Sequence, residues 1–112
     1  MTFDEYQRLA LETAVYPNKG KNFVYPALGL CGEAGEYAEK IKKLLRDKDA
    51  DLDNLLPNEL LLMVKELGDV LWYVNACAYE LGYSLEDVAQ TNIDKLLSRK
   101  AKKLLHGSGD DR

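Results

Sequence analysis

The sequence predicts an all-α protein, a compact four-helix bundle that forms one domain. Apolar residues recur every three or four positions in four separate segments, as they do on one face of an α-helix. No segment shows the alternation of apolar and polar residues that a half-buried strand needs. With 112 residues, 46% of them hydrophobic, the chain is long enough for one hydrophobic core. We expect the domain to span residues 1–106 and a flexible polar tail to follow over 107–112.

The first predicted helix begins at Thr2, whose hydroxyl is suited to cap it, with Glu5 completing a capping box. Its apolar residues follow at helical spacing: Phe3, Tyr6, Leu9, Ala10 and Ala14. Pro17 is expected to end the segment. Residues 16–26 contain two prolines and a glycine, which predicts a loop.

The second helix is predicted over residues 27–46, where apolar residues again recur at helical spacing. Residues 47–56 alternate aspartate with leucine and asparagine, so we expect a solvated connection there. The third helix should begin near Pro57, a favourable residue for a first turn, and end at Gly82. Its expected buried face consists of Leu60, Met63, Val64, Leu67, Val70, Leu71, Val74, Cys77, Ala78 and Leu81.

The fourth helix is predicted to begin after Ser84, which forms a second capping pair with Asp87. Its apolar pattern runs from Leu85 to Leu104, and the polar tail then follows.

Composition excludes several classes of function. A protein with a net charge of −4 is unsuited to binding the phosphate backbone of a nucleic-acid polymer. No apolar run approaches the ~18 residues of a membrane span. Two cysteines cannot form a disulfide framework, so a cytoplasmic location is expected. A single histidine, His106, leaves a metal site mostly oxygen ligands, which favours Mg²⁺, with Mn²⁺ able to substitute, over zinc.

Two acidic pairs at helical spacing carry the predicted chemistry. Glu33 and Glu36 lie on the second helix, and Glu66 and Asp69 lie on the third. Residues three apart on a helix are surface neighbours, so each pair points two carboxylates in nearly the same direction. Both pairs flank the apolar face of their helix. Antiparallel packing of these helices would bring all four carboxylates together at the edge of the core.

Such a group of carboxylates needs a counter-charge. At an effective dielectric constant near 20, two like charges 4 Å apart repel by about 4 kcal/mol, so cations or large pKa shifts must accompany them. The chain has 19 acidic and 15 basic residues, and its excess of four equals the number of carboxylates in the two pairs. This pattern favours a divalent-metal centre. The alternative is that both pairs lie on ordinary solvated helix faces, where acids at this spacing are common.

Glycines interrupt both helices beside the acids. Gly29, Gly32 and Gly35 recur at intervals of three, and Gly68 lies between Glu66 and Asp69. Each costs roughly 0.8–1.0 kcal/mol of helix propensity relative to alanine. We expect a narrow face that another backbone or a ligand approaches closely.

Four segments of the chain resemble the MazG-like nucleotide pyrophosphohydrolases, a superfamily that includes all-α dUTPases and dCTP pyrophosphatases. They are GLCGEAGEYAEKIKK (29–43), KELGDVLWYV (65–74), NIDKLLSRK (92–100) and the closing GSGDDR (107–112). The likeness covers nearly the whole chain, and the paired ExxE and ExxD motifs are specific for the group.

The resemblance implies an all-α bundle assembled as a homodimer or homotetramer. It also implies Mg²⁺-dependent hydrolysis of a nucleoside triphosphate, a standard or modified (d)NTP, to the monophosphate and pyrophosphate. Glu33, Glu36, Glu66 and Asp69 would be the catalytic metal ligands, with Glu33 or Glu36 alternatively acting as general base. Many members have the fuller motif EExxE, whereas this chain has Gly32 at the position of the extra glutamate.

The fourth helix is expected to supply cations. Asn92, Lys95 and Arg99 recur at spacings of three and four and share one polar face. The resemblance implies that the asparagine and the lysine contact phosphates, and Arg99 extends the same face. The alternative is that Lys95 and Arg99 are ordinary solvated charges.

Two further residues are candidates for substrate binding. Tyr73 lies one turn after Asp69 and is placed to contact a phosphate or stack on a nucleoside; a half-buried core tyrosine is the alternative. Lys21 lies in an aromatic-rich loop and is a candidate phosphate ligand, unless that loop simply closes one end of the bundle.

An enzyme is the favoured function. The alternative is a non-catalytic helical module of the same fold that binds or senses a nucleotide, but such a protein would be expected to lose one of the four acids. A structural adaptor leaves the acids and glycines unexplained. A di-iron carboxylate bundle is excluded because its Glu-x-x-His ligands are absent.

Overall fold

The computed structural model describes residues 1–103 and 107–110, and every regular element in that part of the chain is helical. The helices are α1 (Phe3–Glu12), α2 (Val24–Lys48), α3 (Pro57–Glu80) and α4 (Leu85–Ala101), with a 3₁₀ turn over Leu52–Asn54. The all-α prediction with four helices is confirmed. The predicted domain end at 106, the end of the apolar pattern at Leu104 and the tail residues 111–112 lie outside the described residues.

Hydrogen bonds at the helix starts explain two of the boundaries. The Thr2 hydroxyl accepts a hydrogen bond from the Glu5 backbone N–H at 3.1 Å. The Ser84 hydroxyl accepts one from the Asp87 N–H, and the Asp87 carboxylate accepts one from the Ser84 N–H, both at 3.0 Å. The second pair is the reciprocal capping box expected from the sequence.

Helix α2 is longer than predicted at both ends. It begins at Val24, so Pro26 lies in its first turn, where a missing N–H removes no helical hydrogen bond. The expectation of a loop over all of 16–26 was therefore wrong for its last three residues. At the other end, the helix continues to Lys48 and stops where Asp49 adopts a left-handed conformation, with φ of 55°.

Helices α2 and α3 pack antiparallel along most of their length. Three contacts show the register: Gly29 lies against Tyr73, Lys40 pairs with Glu66, and Lys48 pairs with Glu59. Later residues of α2 thus meet earlier residues of α3. This register sets the acidic pair of one helix opposite the acidic pair of the other.

Helix α1 contacts both α3 and α4, and the chain after it fills the space beside α3. Ala14, Tyr16 and Ala76 form a buried cluster, and Trp72 packs against it. The Trp72 indole N–H donates a hydrogen bond to the Thr13 hydroxyl at 2.8 Å. This small core holds the chain after α1 beside the C-terminal part of α3.

Much of the expected apolar face of α3 is not covered within one chain. Val64 is 59% exposed and Leu67 is 48% exposed, although both were predicted to be buried. Large apolar side chains on α2 and α4 are exposed as well, including Leu28 and Leu97. The radius of gyration is 16.9 Å, compared with about 13 Å for a compact domain of this length. No helix in the described ranges is long and apolar enough to span a membrane.

Candidate metal centre

Three of the four predicted carboxylates converge between α2 and α3. Glu33, Glu66 and Asp69 each place an oxygen so that all three atoms lie within 4.8 Å of one another. We call this group the acidic cluster. Glu36 is exposed and is not one of its members. The i, i+3 spacing on α3 and the antiparallel register together account for the convergence.

Crowding of like charge is evident at Glu33. Its partial burial raises the pKa of the carboxyl group, and the neighbouring charges of Asp69, Glu66 and Glu36 raise it further. Three carboxylates offer the oxygen donors that Mg²⁺ and Mn²⁺ prefer, and the acidic cluster has no nitrogen or sulfur ligand. The residues present therefore fit a hard divalent cation, whose charge would relieve the repulsion.

A lysine that the sequence reasoning missed reaches the acidic cluster. The ammonium nitrogen of Lys40 lies 3.5 Å from Oε1 of Glu66. Lys40 is one turn beyond Glu36 and two turns beyond Glu33 on α2, so helical spacing alone would have placed it on the same face.

A cavity of about 310 Å³ opens beside the acidic cluster. Glu33 and Asp69 form one wall, and Thr13, Trp72 and Tyr73 form the rest. The Trp72 and Tyr73 rings meet edge to face with centroids 4.9 Å apart. The volume is at the small end of the range for ligand sites. Tyr73 was predicted here, whereas Trp72 and Thr13 were not.

The glycines behave differently from one another. A Cβ atom at Gly29 would lie 2.1 Å from Cε1 of Tyr73, so the aromatic ring occupies the space that any other side chain would need. At Gly32, Gly35 and Gly68, such a Cβ atom would have no described atom within 4 Å beyond the adjoining residues and the surrounding helix backbone. Close approach is therefore seen at Gly29, whereas Gly32 and Gly35 face open space, and the approach of a ligand or another backbone to them stays a prediction.

Two of the three predicted phosphate contacts of α4 line a different cavity. Asn92 and Lys95 face a space of about 460 Å³ that Ala78 of α3 and Leu81, just after α3, also border. None of its lining residues is shared with the cavity beside the acidic cluster. The two predicted halves of the nucleotide site are thus separate within one chain.

Arg99 and Lys95 share an anionic partner from the end of the chain. One carboxylate oxygen of Asp110 lies 3.1 Å from Lys95 Nζ and 3.0 Å from Arg99 Nη2. Arg99 also donates a hydrogen bond to the Gly109 carbonyl at 3.3 Å and is only 5% exposed. Hydrogen bonds from Lys95 and Arg99 lower the pKa of Asp110. Arg99 is therefore a buried, paired cation and not a solvated charge, and part of the predicted tail contacts α4.

Lys21 is exposed in a loop that forms a third cavity with Asn18 and Lys19, away from the residues of the acidic cluster. This loop is held by Glu80 of α3, whose carboxylate accepts hydrogen bonds from the Gly20 and Asn22 N–H groups. The Tyr16 hydroxyl donates a third, at 2.7 Å. Burial alone would raise the pKa of Glu80, but these hydrogen bonds outweigh it and lower the pKa.

Comparison with known proteins adds to this geometry. The profile of the MazG nucleotide pyrophosphohydrolase domain matches residues 26–104. The chain belongs to the MazG nucleotide pyrophosphohydrolase family. It is also similar to the Gene 37 protein of Mycobacterium phage L5, with 44% identity over 117 aligned positions that cover both chains completely. No solved structure matches it significantly.

The MazG match spans α3, α4 and all but the first two residues of α2, and thus includes the acidic cluster and Lys95. The resemblance expected from the sequence motifs is confirmed. Family membership supports nucleotide pyrophosphohydrolase activity in general terms and agrees with dependence on a divalent metal.

Proposed function

We propose that this MazG-family protein hydrolyses a nucleoside triphosphate, a standard or modified (d)NTP, to the monophosphate and pyrophosphate. The reaction would depend on Mg²⁺, with Mn²⁺ able to substitute. The observation that carries the proposal is the convergence of Glu33, Glu66 and Asp69 within 4.8 Å beside an aromatic cavity. A divalent cation at the acidic cluster would bind the charged triphosphate, and the aromatic rings of the cavity would suit a flat base.

Each residue of the acidic cluster has a defined task in this proposal. Glu33, Glu66 and Asp69 would hold the cation, which supplies charge neutralisation for the phosphates and a bound water of lowered pKa. Glu36 lies outside the acidic cluster, one turn beyond Glu33 on α2. We assign it the role of general base toward the attacking water. The Trp72 and Tyr73 rings would contact the base or sugar.

The phosphate-binding role of α4 leads to a proposal about assembly. Asn92, Lys95 and Arg99 are our candidates for phosphate contacts, but the cavity at Asn92 and Lys95 has no residue in common with the acidic cavity. We infer a homodimer or homotetramer in which α4 of one copy approaches the acidic cluster of another. The exposed apolar faces of α2, α3 and α4 and the large radius of gyration support such an assembly. Lys21 as a phosphate contact and a cytoplasmic location remain predictions.

Product analysis tests the reaction directly. The wild-type protein would be incubated with Mg²⁺ and a panel of ribo-, deoxy- and base-modified triphosphates, beside Asp69→Asn and Glu36→Gln variants. We expect monophosphate and pyrophosphate from the wild type. Asp69→Asn should lose both Mg²⁺ binding and turnover. Glu36→Gln should keep Mg²⁺ binding while kcat falls by about 10²-fold or more, as for a lost general base.

Two outcomes would contradict parts of this proposal. If the folded wild type binds Mg²⁺ and nucleotide but cleaves no triphosphate, the protein is a nucleotide-binding or sensing module of the same fold. If Glu36→Gln loses Mg²⁺ binding as completely as Asp69→Asn, Glu36 is a fourth ligand and its role as general base is wrong.

A further inference from the structure

Lys40 is the cation that the structure places against the acidic cluster. Its ammonium group lies 3.5 Å from Glu66 Oε1, and no other ion pair between described residues includes Glu33, Glu66 or Asp69. The Lys40 side chain is 38% exposed and the Glu66 side chain is 18% exposed. The contact is therefore partly shielded at the carboxylate, while the lysine retains access to solvent.

The neighbouring lysines of α2 have other surroundings. Lys42 pairs with Glu39 at 3.0 Å on the exposed side of the helix. Lys43 borders a small cavity together with Lys40, Leu44 and Glu59, and no residue of the acidic cluster lines it. Along this face of α2, Glu33 and Glu36 come first and Lys40 and Lys43 follow at helical spacing. Lys40 is therefore the basic residue nearest to the acids of this face.

We propose that Lys40 is a positioning residue that pairs with Glu66 until a divalent cation displaces it, so that cation binding is weakened while nucleotide is absent. This inference rests on the proposed function of the acidic cluster. A cation bound to Glu66 and an ammonium group at the same carboxylate repel each other, so the lysine must turn away when the cation enters. Its long, partly exposed side chain allows that movement.

Bound nucleotide would change this competition. The phosphates of a triphosphate carry several negative charges and offer the displaced ammonium group a new partner. The cost of moving Lys40 is then offset, and cation affinity rises. Lys40 would thus couple cation binding to nucleotide binding, and by thermodynamic reciprocity the cation would strengthen nucleotide binding through the same residue.

The test is a calorimetric titration of the full-length protein with Mn²⁺ in the absence of nucleotide. Lys40→Gln removes the competing charge and keeps much of the side-chain length. Lys43→Gln is the matched control, because it removes the same charge one turn further along α2. We expect Lys40→Gln to bind Mn²⁺ roughly three- to tenfold more tightly than wild type, with Lys43→Gln close to wild type.

A second titration includes a non-hydrolysable triphosphate analogue. The analogue should tighten Mn²⁺ binding less in Lys40→Gln than in wild type, because the variant has no ammonium group to displace. Equal or weaker Mn²⁺ binding by a folded Lys40→Gln protein would overturn the inference, and a Lys40→Met variant would repeat the test without the amide. A wild type that binds no Mn²⁺ at all would instead overturn the proposed metal centre.

Discussion

The acidic cluster between α2 and α3 and the basic pair Lys95 and Arg99 on α4 are built in opposite ways. The acidic cluster consists of three carboxylates, and Lys40 pairs with one of them; all four residues belong to the antiparallel helices α2 and α3. The basic pair meets one carboxylate, Asp110, which comes from the end of the chain. Among the described residues, each charged group thus pairs with one residue of opposite charge, and Lys95 borders a different cavity from Glu33 and Asp69. Two half-sites of opposite charge on one molecule are suited to meet across a boundary between copies.

Mixing two inactive variants gives the largest expected effect and tests whether the two half-sites meet. Asp69→Asn has a damaged acidic cluster and an intact α4, whereas Lys95→Met has the reverse. In a dimer, a one-to-one mixture after subunit exchange should recover about a quarter of wild-type turnover, since half of the dimers are hybrids with one intact site. The measurement is pyrophosphate release at a nucleotide concentration where neither variant alone is active.

A mixture of Asp69→Asn with Glu33→Gln is the control, because both changes damage the same half-site and no exchange can restore it. If hybrids form, as shown by mass spectrometry, and activity does not return with Lys95→Met, the acidic cluster and α4 act within one chain. The acidic cluster and the basic pair Lys95 and Arg99 would then differ in charge, but they would not meet across two copies of the chain.

Substitutions at two glycines of α2 probe how firmly the acidic half-site is built. Gly29→Ala should destabilise the fold by about 1–3 kcal/mol, because the new methyl group would meet the Tyr73 ring at 2.1 Å. Gly32→Ala should stabilise it by about 0.5–1 kcal/mol, since the new methyl group would meet no described atom within 4 Å beyond the adjoining residues and helix backbone, and alanine is the better helix former. Urea unfolding measures both. A destabilised Gly32→Ala would mean that a second copy packs against that position.

The sequence predicted what depends on local spacing. Acids three apart on two helices joined by a short connection were expected to converge, and three of the four do so. The starts of α1, α3 and α4 followed from Thr2, Pro57 and Ser84, because capping is a property of neighbouring residues.

Features that depend on distant parts of the chain were missed. Helical spacing places Lys40 on the face of Glu33 and Glu36, but its contact with Glu66 also depends on the register between α2 and α3, and Asp110 reaches α4 from beyond its end. Trp72, by contrast, could have been found from the sequence: it follows Asp69 by three positions and Tyr73 follows it by four, and both spacings place a side chain beside Asp69 on a helix. The apolar pattern of α3 identified a face, but it could not show how little of that face one chain covers.

The smallest expected effect concerns the contact of Asp110 with Lys95 and Arg99, the two residues of the basic half-site. Asp110→Asn should tighten pyrophosphate binding about two- to fivefold, because Asp110 is 82% exposed and its pairs with Lys95 and Arg99 compete with an incoming anion. Isothermal titration with chelator present keeps the acidic cluster out of the measurement. Asp94→Asn is the matched control: it removes the same charge from α4, where the Asp94 carboxylate accepts a hydrogen bond from Gln90.

The pH dependence of this effect follows from the lowered pKa of Asp110. Lys95 and Arg99 stabilise the ionised carboxylate, so the pairing is complete above the ordinary aspartate pKa and is lost only as pH falls through the lowered value. The difference between wild type and Asp110→Asn should therefore stay constant between about pH 6 and 8. If Asp110→Asn instead weakens pyrophosphate binding, Asp110 helps to form the anion site and does not compete for it, in contrast to the competition proposed for Lys40 at the acidic cluster.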